Sequence, residues 1–191
     1  MNRLIVITGL DGTGTSTAGE LLAARLGALL IHTPAEPFRQ VRGPIDLGPR
    51  DECPSAHYLF YLASMVHADA TLIRPALERG DVVCVRHLVD TVVSHRAAGL
   101  PVELDYETPL FALRRPDRIF LLTVEEAVRR QRMAGRSRCD HLDRALENEG
   151  LRGRFLEEFA RLSRMLTRVD TTDLDPARLV TVLLTALETP S

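Results

Sequence analysis

The chain has 191 residues, 45% hydrophobic and 26% charged. That is enough for one domain with a real core, too few for two large ones, and too apolar for a disordered protein. A net charge of −2 argues against a general nucleic-acid binder, and no apolar run reaches the roughly 18 residues of a membrane span.

The chain opens on Leu4-Ile5-Val6-Ile7-Thr8, a short β-branched apolar run that stops at Gly9 and predicts a buried strand. No secretory leader is expected ahead of it. Small polar residues follow, and then a helical pattern through Leu22 and Leu26 ends at Gly27. Residues 28–32 predict a second strand. The stretch 33–54 holds five prolines and is expected to be loop, laid over a site. Residues 55–78 predict a long helix, bent or broken by Pro75 and stopped by Gly80. Residues 81–85 predict a third strand, and 90–98 and 107–113 two helices. A fourth strand is expected at 118–122, helices at 124–133 and 151–166, a short fifth strand at 168–170, and a last helix from Pro176 to about 187 with proline in its first turn. Strands alternating with helices predict a doubly wound α/β fold, a parallel sheet covered on both faces.

The turn Gly9-Leu10-Asp11-Gly12-Thr13-Gly14-Thr15-Ser16-Thr17 leaves the first strand and opens the first helix. A loop there wraps phosphates in backbone N–H groups, aided by the positive end of the helix dipole. In the usual pattern, G-x-x-x-x-G-K-[ST], a lysine reaches the β- and γ-phosphates and the hydroxyl holds Mg²⁺. Gly9, Gly14 and Ser16 fit that pattern, but the lysine position is Thr15. All 24 basic residues are arginine, so no lysine elsewhere in the chain replaces it.

This loop resembles that of thymidylate kinases, typically G-L-D-G-A-G-K-S-T, and the likeness continues in order along the chain. Ile73-Arg74-Pro75-Ala76-Leu77-Glu78-Arg79-Gly80 is similar to the family's I-K-P-A-L-x-x-G. Val85-Arg86-His87 stands where the family has D-R-Y or D-R-H, and Arg115-Pro116-Asp117-Arg118-Ile119-Phe120-Leu121-Leu122 resembles its R-P-D-L-x-x-x-L strand. The resemblance implies one P-loop nucleoside-monophosphate-kinase-like domain over residues 1–191, with a five-stranded parallel sheet and a lid at about 134–149. It implies ATP as donor with Mg²⁺ held by Ser16, a nucleotide or other phosphorylated small molecule as acceptor, and a homodimer, while cysteine usage, net charge and the lack of a long apolar run predict a cytoplasmic protein touching neither nucleic acid nor membrane. Gly9, Gly12, Thr13, Gly14, Thr15, Ser16 and Thr17 would hold the donor phosphates. Asp11, Glu36, Tyr61, Met65, Arg86, Asp90 and Thr91 would line the acceptor site, with Asp11 near the sugar, Tyr61 stacked on the base, Arg86 on the acceptor phosphate, and Asp90 and Thr91 near the base. Arg86, Arg136 and Arg138 would carry catalysis.

The departures fall on charge. Besides Thr15, the aspartate before Arg86 becomes Val85, an arginine near the base edge becomes Met65, and the arginine before Glu36-Pro37 becomes Ala35. Residues 114–138 compensate in part, with eight arginines against three acids. Guanidinium binds phosphate bidentately and never deprotonates, so a lid arginine can stand in for a lysine. The same run also fits a solvated helix face pairing with Glu125 and Glu126. His32, His67, His87, His95 and His141 show no metal-ligand pairing at helical spacing. The three cysteines (Cys53, Cys84 and Cys139) make neither a disulfide framework nor a zinc site. Asp170 to Asp173 either border an adenine pocket or cap the last helix. The expected function is a thymidylate-kinase-like phosphotransferase of altered specificity or reduced activity. The alternative is a non-catalytic nucleotide- or partner-binding protein.

Overall fold

The computed structural model describes residues 2–108, 110–135 and 146–189. Five parallel strands, β1 (Leu4–Gly9), β2 (Leu29–His32), β3 (Val82–Val85), β4 (Arg118–Thr123) and β5 (Thr167–Asp170), form one sheet in the order β2-β3-β1-β4-β5. Leu4 to Ile7 of β1 are fully buried, and each such side chain contributes roughly 1.5–3 kcal/mol as an upper figure. Their alternation splits the core in two. Leu4 and Val6 join the cluster with Val82, Cys84 and Ile119, whereas Ile5 and Ile7 join Val83, Phe120 and Leu122 on the other face. A strand buried on both faces reads as a continuous apolar run.

α1 (Thr15–Leu26) and the last helix, called α9 here (Pro176–Glu188), cover one face. α4 (Pro54–Ala68), α6 (Leu88–Ala97) and α8 (Glu149–Arg161) cover the other. α7 (Glu126–Ala134) follows β4 and packs on the phosphate loop. The long helix after residue 54 is interrupted in the turn just before Pro75. A π-helical turn, Asp69–Ile73, separates α4 from the short α5 (Arg74–Leu77). Proline has no N–H and its ring crowds the preceding turn, so one wide turn absorbs the mismatch.

Two expectations fail. Residues 33–54 are not mainly loop: they hold α2 (Phe38–Leu47) and α3 (Pro49–Glu52). The prolines punctuate helix starts, with Pro37 at the cap of α2, Pro49 opening α3 and Pro54 opening α4, where a missing N–H costs nothing. Residues 107–113 are not a helix: Glu107 bridges Ala112 antiparallel, and Leu113 N–H donates to Tyr106 O at 2.8 Å. Pro109 biases the residue before it away from helical angles. The expected lid, with Arg136, Arg138, Cys139 and His141, falls largely on residues 136–145, which lie outside the described residues.

Candidate active site

The loop after β1 is shaped by its glycines and held from behind. At Gly9 (φ 152°) a Cβ would lie 2.5 Å from Leu122 O, and at Gly12 (φ 89°) 2.8 Å from Arg129 Cγ. Neither position admits a side chain. Thr13 Oγ1 donates to Leu10 O at 2.7 Å, and Thr171 Oγ1 donates to Thr13 O at 3.0 Å. Arg132 donates to Thr171 O at 2.8 Å and to Gly12 O at 3.5 Å, while the buried Arg129 donates to Asp11 O at 3.4 Å. Arg129 is tied to Glu126 (2.8 Å), whose carboxyl is held down at about 2 by the bond from Arg129, with Arg130 and Arg152 adding to it. These arginines buttress the loop's outer side, so the charge run is in this part structural. Thr171 supports the phosphate loop, and it is Asp175 that caps α9, accepting from Arg178 N–H at 2.8 Å. The cap expected from Asp170 to Asp173 is thus supplied by Asp175 instead.

Arg86 follows β3 with φ 70°, the one described non-glycine residue at positive φ. That backbone state is rare for a residue with a side chain and is kept only where contacts over-determine it. Here they do. Its N–H donates to Ile7 O at 3.0 Å, and the guanidinium donates to Gly9 O (3.0 Å), Asp90 Oδ1 (3.1 Å) and Asp11 Oδ1 (2.8 Å). Asp90 also accepts from Thr8 Oγ1 (2.6 Å) and His87 N–H (2.9 Å). Burial raises the Asp90 pKa although Arg86 pulls against it. Asp90 therefore orients Arg86 at the loop.

Two cavities meet at Arg86. One, of about 330 Å³, is walled by Thr15, Ser16, Val85, Asp11, Arg86 and, from α2, Arg39 and Arg42. Val85 also packs on Gly19 of α1, where no Cβ would fit, so an apolar contact replaces a carboxylate at this wall. The other cavity, of about 200 Å³, runs between α2, α4, α6 and α8 and includes Tyr61, Met65, Asp90 and Thr91. Both share Asp11, Thr33, Pro34, Arg42 and Arg86.

A buried chain of polar groups lines the second cavity. His95 Nδ1 lies 2.7 Å from Thr91 O, His57 Nδ1 lies 2.8 Å from His95 Nε2, and His57 Nε2 lies 3.1 Å from Asp46 Oδ1. Tyr61 OH donates to the same Asp46 oxygen at 2.6 Å. The carbonyl of Thr91 can only accept, so His95 donates from Nδ1. Burial lowers the His95 pKa to about 4, which leaves its Nε2 as an acceptor. Burial alone would raise the Asp46 pKa, but the bonds from His57 and Tyr61 and the nearby Arg42 turn the shift downward. His57 thus bridges His95 Nε2 and Asp46 Oδ1 through its two ring nitrogens. His87 lies beside this cavity, buried with both ring nitrogens unbonded, its pKa lowered by burial to about 3.

Of the residues expected at the site, Gly9, Asp11, Thr15, Ser16, Tyr61, Met65, Arg86, Asp90 and Thr91 line one cavity or the other. Gly12, Thr13 and Gly14 complete the loop between them. Thr17 is exposed in the first turn of α1, and Glu36 is exposed and lines neither cavity. Sequence reasoning misses Arg39, Arg42, Asp46 and His57. Their signals were spacings: 39, 42 and 46 on one face of a helix, and 57 and 61 one turn apart.

A phosphate loop at the carboxyl end of a central parallel strand, with a second pocket across the sheet edge, defines a P-loop nucleoside-monophosphate-kinase fold. Thymidylate kinase from Candida albicans has the same architecture, with a TM-score of 0.73 at 18% identity, covering 98% of this chain and 91% of that one. Thymidylate kinase from Ehrlichia chaffeensis matches with a TM-score of 0.70 at 18% identity, covering 98% and 99%. Residues 7–175 match the family pattern described as thymidylate kinase. The thymidylate kinase of Leifsonia xyli subsp. xyli is 34% identical over 157 residues, 73% of this chain and 72% of the relative. That of Clavibacter michiganensis subsp. michiganensis is 35% identical over 167 residues, 80% and 79%. The chain belongs to the thymidylate kinase family, as a thymidylate-kinase-like phosphotransferase with threonine at the loop's lysine position.

Proposed function

We propose that this chain transfers a phosphoryl group from a nucleoside triphosphate to the phosphate of a small nucleotide, with a specificity or rate that departs from ordinary thymidylate kinases. The observation that carries the reading is Arg86, held at positive φ where the two cavities join. A guanidinium fixed there grips an acceptor phosphate in line with a donor on the loop. The loop amides from Gly12 to Ser16 and the N-terminus of α1 receive the donor phosphates. Tyr61 and Met65 border the acceptor ring, and Met65 offers it no hydrogen-bond donor. Lid arginines Arg136 and Arg138 belong to the same proposal, as does a homodimer, which light scattering tests.

Among the described residues, the carboxylates at this site fit Mg²⁺ sparingly. Ser16 Oγ is the protein donor at the loop, Asp11 is already paired with Arg86, and Val85 offers none. Ser16 would hold such an ion together with substrate oxygens, and the ion would supply charge that offsets the transferring group. The second reading, nucleotide binding without catalysis, is favoured by one observation: Thr15 and Val85 both lack charge on the transfer cavity. A panel of nucleoside monophosphates assayed for ATP-dependent phosphorylation tests the proposal. Turnover of at least one supports it, and binding without turnover of any supports the second reading.

A further inference from the structure

We infer that Arg39 and Arg42 are phosphate-binding residues that supply, from α2, the positive charge that Thr15 cannot supply from the loop. This rests on the phosphotransferase reading and names the charge source of that site.

The first cavity is bounded by the start of α1, with Thr15 and Ser16, and by α2, with Arg39 and Arg42. Among the described residues, three guanidiniums line it, those of Arg39, Arg42 and Arg86, against one carboxylate, Asp11, which Arg86 already engages at 2.8 Å. His32 also borders it, but burial and Arg39 lower the imidazole pKa, so the guanidiniums carry the charge. A cavity with that excess of cations suits an oligophosphate.

The bonds that hold Arg39 are long ones. Arg39 donates to Pro34 O at 3.3 Å and His32 O at 3.4 Å, and Arg42 lies 3.5 Å from Asp46 Oδ2. Phosphate oxygens offer shorter, charge-assisted bonds to the same donors. Positions 39, 42 and 46 share one helix face. α2 buries none of its residues, so its placement depends on few contacts. Asp46 is locked to His57 and Tyr61, and Phe38 packs on Phe60 and His67 at ring distances of 5.5 and 5.6 Å. Locking Asp46 turns the face that carries Arg39 and Arg42 toward the cavity. Asp46, His57 and Tyr61 are thus positioning residues for the two arginines.

The test titrates inorganic tripolyphosphate and ATP by calorimetry against wild type, Arg39→Ala, Arg42→Ala, Arg39→Lys and Arg42→Lys. It adds the double alanine variant with and without Thr15→Lys. Each alanine is expected to weaken tripolyphosphate binding about tenfold, as for a lost charge-assisted bond, and to reduce the salt dependence of binding. The lysine variants should keep part of the affinity. Thr15→Lys should restore part of what the double alanine variant loses, since charge returns to the same cavity. Unchanged affinity in both alanine variants, with wild-type thermal stability, overturns the inference and leaves the phosphotransferase reading standing. Wild type that binds neither tripolyphosphate nor ATP overturns both.

Discussion

Arg86 Nη2 lies 2.8 Å from Asp11 Oδ1, which joins the residue after β3 to the turn after β1 across the mouth of both cavities. The pair is partly buried and shares its guanidinium with Asp90. Removing Arg86 takes away a phosphate ligand and leaves two carboxylates facing an incoming anion. Arg86→Ala is expected to weaken acceptor-monophosphate binding by about 2–4 kcal/mol. Calorimetry with whichever monophosphate the wild type binds checks this, and unchanged affinity removes Arg86 from the site.

Tyr61 has two separable parts. Its ring borders the acceptor cavity and its hydroxyl donates to Asp46. Tyr61→Phe keeps the ring and should lower stability by about 1 kcal/mol, read as a shift in the thermal midpoint. Tyr61→Ala should also cost a ring-bearing acceptor about 1–3 kcal/mol of affinity. Equal acceptor affinity in wild type and Tyr61→Ala would mean that no ring stacks there.

At Thr15 the loop offers a hydroxyl where an ammonium would stabilise the β- and γ-phosphates. Thr15→Lys should tighten triphosphate binding several-fold, since the cradle and helix terminus are in place. It need not raise turnover, because Val85 still presents an apolar wall. ATP titrations of the two proteins decide it. Weaker binding by the lysine variant would mean that Thr15 is shaped for this cavity's own ligand.

The pH dependence of stability follows from His87 and His95, whose folded pKa values lie near 3 and 4 against an ordinary 6.5. The unfolded chain takes up their protons below pH 6.5 while the folded chain does not. Stability is therefore full above pH 6.5 and falls as the pH drops, until about 4 for His95 and about 3 for His87. Each approaches a slope of about 1.4 kcal/mol per pH unit. His87→Phe, which keeps a ring against Tyr106, should flatten the acid limb of a denaturation series. An unaltered limb would show that His87 titrates alike in both states.

Much of this was legible in the sequence, for physical reasons that differ by element. β1, β3 and β4 are central strands of a parallel sheet, and burial on both faces forces the apolar runs that mark them. The loop announced itself through glycines, which the close approach of Leu122 O and Arg129 demands at Gly9 and Gly12. α2 was hidden because proline reads as loop unless its place at a helix start is recognised. The roles of Arg129 and Arg132 were hidden for another reason. A guanidinium that supports loop carbonyls and one that grips phosphate have the same sequence signature. Asp46, His57 and His95 come from three helices, so no local pattern joins them.

The place of β1 in the sheet has a consequence for how the chain is made. Leu4 pairs with Val82 and Ile5 with Arg118, while Thr171 near the other terminus braces Thr13. The earliest of the five strands in sequence is thus the one whose partners follow late. Until then a bare Leu-Ile-Val-Ile segment waits with its edges open, the kind of stretch that seeds association between nascent chains. Pairing with Val82 to Val85 on one side and Arg118 to Leu122 on the other closes both of those edges.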